Sequence, residues 1–183
     1  MIGTGYVGLV TGTCFAEFGH HVTCVDKLDE KIDRLLAGET PIYEPGLEAL
    51  VAKNTREGRL AFTTNLGDAV AGAEAVFIAV GTPSSRRGDG YADLSYIYEA
   101  SKEIAPHLDD YTVIVDKSTV PVGTARQVAR IIREMNPDAE FDVASNPEFL
   151  REGAAIADFM RPDRVVIGVE SQRAEALLRA VYQ

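Results

Sequence analysis

Gly3, Gly5 and Gly8 stand in the run Met1-Ile2-Gly3-Thr4-Gly5-Tyr6-Val7-Gly8, a spacing that suits a phosphate-binding turn between a strand and a helix. The first glycine allows a tight turn and the second lets backbone approach a pyrophosphate. The third lets the helix pack close to its strand. Free N–H groups at the helix start then meet phosphates without a cation. Alone this motif is weak, because glycine-rich turns occur in many folds. About 20 residues on, as the fingerprint requires, Asp26 ends the apolar run His21-Val22-Thr23-Cys24-Val25. A carboxylate there accepts hydrogen bonds from both ribose hydroxyls of an adenosine and repels a 2′-phosphate, which favours NAD over NADP. The alternative for Asp26 is a solvated strand-end charge or a cap for the next helix. Lys31 follows one helical turn later and could reach an adenosine edge or a phosphate, or be a solvated helix charge.

Other candidates stand where apolar runs end. Ala75-Val76-Phe77-Ile78-Ala79-Val80 has the unbroken apolarity of a central parallel strand and stops at Gly81-Thr82-Pro83. Ligands of a doubly wound sheet lie at strand carboxyl ends, so Thr82 is a candidate cofactor contact. The next apolar run, 112–115, delivers Asp116-Lys117-Ser118-Thr119-Val120-Pro121. Hydroxyls and free amides at that point suit anion or nicotinamide contacts, with capping and turn formation as the alternative for Ser118 and Thr119. A further strand over 141–144 leads into Ser145-Asn146-Pro147-Glu148-Phe149-Leu150-Arg151-Glu152-Gly153. Glu148 and Glu152 are four residues apart, which on a helix would put both carboxylates on one face. Cys14 and Cys24 fall at core positions and read as small hydrophobes rather than nucleophiles.

These residues require elements that gather strand ends along one rim. Val7, Val10, Cys14 and Phe18 at helical spacing predict a helix over 6–18. Ile32, Leu35 and Leu36 predict another over 28–37 with all three facing inward. Further helices are expected over 47–57, 66–71, 94–108 and 125–135, and from Gln172 onward. Strands are expected at 21–25, 60–63, 75–80, 112–115, 141–144 and 165–169. This alternation specifies an α/β, doubly wound, mainly parallel Rossmann-type sheet with helices on both faces. Only Met1 and Ile2 precede the glycine turn, so the first strand reads as truncated at the N-terminus, although its place is at the sheet centre. The two-proline loop over 39–46 shows no assignable chemistry, and Arg86 and Arg87 in the stretch 84–90 read as solvated.

The 183 residues suit one domain, or one plus the start of another, and their net charge of −10 argues against a nucleic-acid surface. No apolar stretch is long enough to span a membrane, and no signal-peptide pattern is present. Two cysteines without CxxC spacing suggest a reduced cytoplasmic protein with no metal site.

Across essentially its whole length the chain resembles the UDP-glucose 6-dehydrogenase family, within the broader UDP-glucose/GDP-mannose dehydrogenases. The resemblance is carried by the glycine run 3–8, Glu44-Pro45-Gly46-Leu47, Val80-Gly81-Thr82-Pro83, Ser118-Thr119-Val120-Pro121-Val122-Gly123 and, most specifically, Asn146-Pro147-Glu148-Phe149-Leu150-Arg151-Glu152-Gly153. It implies oxidation of the C6 hydroxymethyl of UDP-glucose to a carboxylate by two NAD⁺, through a cysteine-bound thiohemiacetal and thioester. By the same resemblance Tyr6 and Val7 contact the cofactor pyrophosphate, and Asp26 and Lys31 its adenosine side. Thr82, Ser118 and Glu152 lie near the ribose and nicotinamide. Thr119 holds the catalytic water, and Glu148 orients or deprotonates it. Burial beside Phe149 would suit Glu148 to that task. Glu148, Phe149, Leu150 and Arg151 line the sugar-nucleotide site.

The family's nucleophilic cysteine has no counterpart at Cys14 or Cys24. The resemblance therefore implies the NAD-binding part of a longer enzyme, a cytoplasmic homodimer, binding NAD without turning over substrate alone. GDP-mannose and UDP-N-acetyl sugars remain open as substrates, as does a non-catalytic NAD-binding module. A methyltransferase would share the glycine turn and Asp26 but would leave the 118–119 and 146–152 loops unexplained.

Overall fold

Residues Met1 to Gly3 lie between two strands and hydrogen-bond to both. On one side Gly3 N–H donates to the Val25 carbonyl at 2.7 Å and Val25 N–H to the Met1 carbonyl at 2.8 Å. On the other, Ile2 N–H donates to the Phe77 carbonyl at 2.8 Å and Ala79 N–H to the Ile2 carbonyl at 2.9 Å. The structure, a computed structural model, describes residues 1–83 and 92–183, so the expectation for Arg86 and Arg87 lies outside the described residues. Strand β1 (Val22–Val25) pairs in parallel with β2 (Leu60–Thr63). Strand β3 (Ala75–Ile78) pairs in parallel with β4 (Thr112–Asp116), and β4 with β5 (Phe141–Ser145). Ile2 bridges β1 to β3, giving the order β2-β1-Ile2-β3-β4-β5. Chain direction along the sheet reverses at Ile2, the switch point where ligands of such sheets bind.

Strand alternation sorts the apolar runs onto two faces. Phe77, Val113 and Val115 pack on one face, under α1 (Tyr6–Phe18), α3 (Leu47–Arg56), α7 (Ala155–Met160) and α8 (Gln172–Val181), with α2 (Asp29–Leu36) at the margin. Val76, Ile78 and Ile114 pack on the other, under α4 (Leu66–Val70), α5 (Ser95–Ile104) and α6 (Thr124–Met135). Unbroken apolar strands are therefore buried on both sides, as parallel strands between helix layers must be. Asn65 caps α4, its side chain accepting from Asp68 N–H.

Three expectations need correction. The run 165–169 makes no strand: Gly168 alone forms an antiparallel bridge to Ser145, and the Val166 carbonyl is taken by the Asn146 side chain at 2.8 Å. Leu36 points outward, because Ile32 and Leu35 already fill the buried stripe of the short α2. Residues 146–154 are irregular and the helix starts only at Ala155, so Glu148 and Glu152 share no helix face.

Candidate functional site

The three glycines divide the work as their spacing suggests. Gly3 has φ +100°, and a Cβ there would come 2.7 Å from the Ala79 carbonyl oxygen. At Gly8 a Cβ would come 2.0 Å from the Gly3 carbonyl, so this glycine lets α1 sit directly on the turn. At Gly5 a Cβ would meet nothing within 4 Å. Gly5 faces open space, at the N-cap of α1, and no side chain caps the helix. The first amides of this thirteen-residue helix are thus left to whatever occupies that space.

The space is a cleft of about 860 Å³ at the switch point, lined by Gly3, Gly5, Asp26, Lys31 and Thr82 among others. Asp26 lies on its wall, nearly buried and heavily bonded. Its Oδ2 accepts from Thr4 N–H at 3.0 Å, Thr4 Oγ1 at 2.7 Å and Lys31 Nζ at 3.2 Å, and its Oδ1 from Leu28 N–H at 3.2 Å. Burial alone would raise this carboxyl, but the Thr4 and Leu28 donors and the Lys31 charge together hold it below its ordinary value. Lys31 is therefore paired with Asp26 instead of free. Acceptor capacity for a ribose hydroxyl remains on Oδ1, which takes one bond of the two that a carboxylate oxygen offers.

A second cavity of about 240 Å³ adjoins the first and shares Gly5 and Ala79 to Thr82 with it. Its walls bring together Tyr6, Val7, Thr82, Lys117, Ser118, Thr119 and Glu148 from four separate stretches of chain. Ser118 Oγ donates to the Val80 carbonyl at 2.7 Å, tying the ends of β3 and β4 together. Thr82 Oγ1 donates to the Thr119 carbonyl at 3.3 Å and closes the same gap. Ser118 and Thr119 do not cap α6, whose N-cap is Gly123. Glu148 Oε2 accepts from Leu150 N–H at 2.5 Å. Phe149 does not bury it. That ring is 54 % exposed and lies under the Arg164 guanidinium, 5.3 Å from its centre.

Phe149 and Leu150 line a small third cavity of about 40 Å³ with Lys117 and Glu148. Arg151 and Glu152 line none of these three cavities. The Arg151 guanidinium is engaged by Asp158, with Nη2 to Oδ1 at 2.6 Å and Nε to Oδ2 at 3.0 Å, and Glu152 sits on an exposed turn.

Sequence reasoning missed Glu44, in the two-proline loop without assignable chemistry. Its carboxylate is 5 % exposed and accepts from Tyr6 Oη at 2.5 Å, Gly153 N–H at 2.8 Å and Ala155 N–H at 2.9 Å. It pins the glycine turn to the end of the 146–153 loop. Burial opposes its charge, yet these donors hold the carboxyl below its ordinary value. The Tyr6 hydroxyl is pushed up to about 12 by burial and by its bond to Glu44. Lys117, also missed, is 3 % exposed and lines both smaller cavities. Cys14 and Cys24 are buried thiols raised by burial to about 12 and about 11, which removes both as nucleophiles at neutral pH. Among the described residues there is no cluster able to hold a metal ion, and no helix long and apolar enough to cross a membrane.

Comparison with known proteins gives the family and relatives of this fold. The family model described as "UDP-glucose/GDP-mannose dehydrogenase family, NAD binding domain" matches residues 1–183. The UDP-glucose 6-dehydrogenase of Rhizobium meliloti (strain 1021) is 63% identical over 185 residues, covering 100% of this chain and 42% of the relative. A UDP-glucose dehydrogenase structure from Pyrobaculum islandicum superposes with TM-score 0.94 at 45% identity, over 99% of this chain and 42% of that one. The ternary complex of GDP-mannose dehydrogenase from Pseudomonas aeruginosa gives TM-score 0.94 at 39% identity, over 99% of this chain and 43% of that one. The chain thus spans about two fifths of the length of these relatives.

Proposed function

The chain belongs to the UDP-glucose/GDP-mannose dehydrogenase family, and from that premise we propose that residues 1–183 are the NAD-binding domain of a UDP-glucose 6-dehydrogenase acting on UDP-glucose. The observation that carries the cofactor assignment is the behaviour of Gly5. Of the three glycines it alone leaves an added Cβ clear of the described residues, at the uncapped start of α1 and in the same cleft wall as Asp26. Tyr6 and Val7 amides would hold the pyrophosphate there, and Asp26 Oδ1 the adenosine ribose, with Lys31 close by for a phosphate. NAD⁺, when bound, supplies the hydride acceptor.

The chain's own groups in the adjoining cavity serve the substrate carbon. Glu148 would take a proton from water in the hydrolytic step, and Thr119 would hold that water. Thr82 and Ser118 fix the two strand ends that shape the cavity, which suits the nicotinamide contacts expected of them. Phe149 and Leu150 would border the sugar nucleotide, and Arg151 would contribute through its backbone. Glu152, whose charge reaches the Tyr6 hydroxyl, would make its cofactor contact from the exposed 152–154 turn. The high identity to a UDP-glucose enzyme supports UDP-glucose over GDP-mannose. Cytoplasmic placement and a homodimer complete the proposal, on the family resemblance and the two unpaired cysteines.

The test is calorimetric titration with NADH and with S-adenosylmethionine, followed by an assay for NADH formation from UDP-glucose. Saturable NADH binding without S-adenosylmethionine binding or turnover is expected. S-adenosylmethionine binding would refute the cofactor assignment, and UDP-glucose oxidation by this chain would refute the division of labour.

A further inference from the structure

Lys117 is only 3 % exposed, yet it stands at the carboxyl end of β4, where the two smaller cavities meet. A buried ammonium is costly unless both its N–H groups and its charge are answered. Two of its three N–H donors go to neutral partners, the Asn146 Oδ1 at 3.2 Å and the Tyr182 hydroxyl at 3.3 Å. Those partners are themselves fixed. Tyr182 Oη donates to Asn146 Oδ1 at 2.5 Å, while Asn146 Nδ2 donates to the Val166 carbonyl at 2.8 Å and sets the amide's orientation. The rings of Phe159 and Tyr182 flank the ammonium at 5.9 and 6.0 Å.

None of these neighbours carries a negative charge. Two carboxylates line cavities with Lys117. Asp158 is engaged by Arg151 at 2.6 Å, whereas Glu148 shares both cavities and, among the described residues, has only the Leu150 amide as a hydrogen-bond donor.

We infer that Lys117 is a positioning residue for Glu148: its immobilised ammonium, with one N–H uncommitted, holds the Glu148 carboxylate aimed into the cavity they share. This rests on the reading of Glu148 as the base of the proposed dehydrogenase and adds the group that keeps it in place. Burial lowers Lys117 to about 8, and the Glu148 charge pulls in the opposite direction. The other titratable groups facing it are Tyr182 from α8, Asp158 and Arg164 across the small cavity, and Tyr6 across the larger one. Above that pH the ammonium discharges and releases Glu148.

Two NMR measurements on this chain test the inference. With ¹³C-labelled lysine, the Lys117 ε-methylene titrates near pH 8 in the wild type, and Glu148→Gln lowers that midpoint by roughly 1 pH unit, the usual scale for one close opposite charge. In Lys117→Met the Leu150 amide exchanges roughly tenfold faster, the equivalent of one ordinary hydrogen bond, while β4 amides stay protected. A Lys117 midpoint indifferent to Glu148→Gln overturns the inference, and this decides the matter even if Lys117→Met fails to fold. NADH titration of the same samples separates the two readings. A midpoint shift without NADH binding overturns only the cofactor assignment, and NADH binding without a midpoint shift overturns only the role of Lys117.

Discussion

Asp116, one residue before Lys117, turns to the opposite face of the sheet, where nothing answers its charge. It is 1 % exposed and, among the described residues, neither carboxylate oxygen has a hydrogen-bond partner. Burial pushes this carboxyl up to about 7, and the nearby Ser118 amide, outside good hydrogen-bond geometry, offsets that only slightly. An acid raised in the folded state costs stability as pH climbs from its ordinary 3.8, and the cost is complete above about 7. Asp116→Asn should therefore gain stability relative to wild type between pH 5 and pH 8, on the order of 2–4 kcal/mol. Thermal melts at both pH values check this, and a difference that does not change with pH would contradict it. Glu44 has the opposite sign. Its folded-state carboxyl lies below the ordinary 4.5, so its contribution is present above that value and lost as pH falls through the folded one. Glu44→Gln should cost about 2 kcal/mol at neutral pH, the scale of a charge-assisted hydrogen bond, and lower the melting temperature by roughly 4 to 8 °C. The deficit should shrink in acid, and a deficit that persists at low pH would assign Glu44 a purely steric role.

At the scale of the element, the turn into α1 separates binding from folding. Gly8→Ala forces a Cβ to within 2.0 Å of the Gly3 carbonyl, and backbone cannot yield there without lifting the helix off its strand. A loss of about 1–3 kcal/mol is expected, read by chemical denaturation, with NADH binding lost as well. Gly5→Ala meets no atom of the described residues within 4 Å, and its φ of −71° suits alanine. It should melt as the wild type does yet bind NADH more weakly, because the methyl group enters the space proposed for the pyrophosphate. Equal NADH affinity in Gly5→Ala would mean that the cofactor does not touch this turn. The failed strand at 165–169 belongs to the same scale. A Val-rich run predicts a strand, but a strand needs a free ladder partner, and the outer edge of β5 offers only Ser145 before the Asn146 side chain takes the next carbonyl.

For the whole molecule, what was legible in the sequence was what repeats locally. Apolar runs ending in Asp26, Thr82, Ser118 and Asn146 marked strand ends, and parallel pairing carries such ends to one rim whatever the loops between them do. The glycine turn, Asp26 and the convergence of Thr82, Thr119 and Glu148 followed from that. Glu44 and Lys117 did not. A carboxylate whose donors lie 38 and 109 residues away, or an ammonium fixed by a tyrosine 65 residues on, leaves no periodic trace, because only the folded packing brings them together. Glu152 shows the converse error, a helical spacing in a stretch that the Glu44 bonds hold irregular. The claim on which the rest depends is that a dinucleotide lies along this rim, and amide NMR during titration with NADH tests it most directly. The account predicts shifts gathered at Gly3 to Gly8, Asp26 to Lys31, Ala79 to Thr82 and Ser118 to Thr119. Shifts centred instead on the opposite rim of the sheet, at the strand amino ends around Ala73 and Glu74, or no shifts at all, would contradict it.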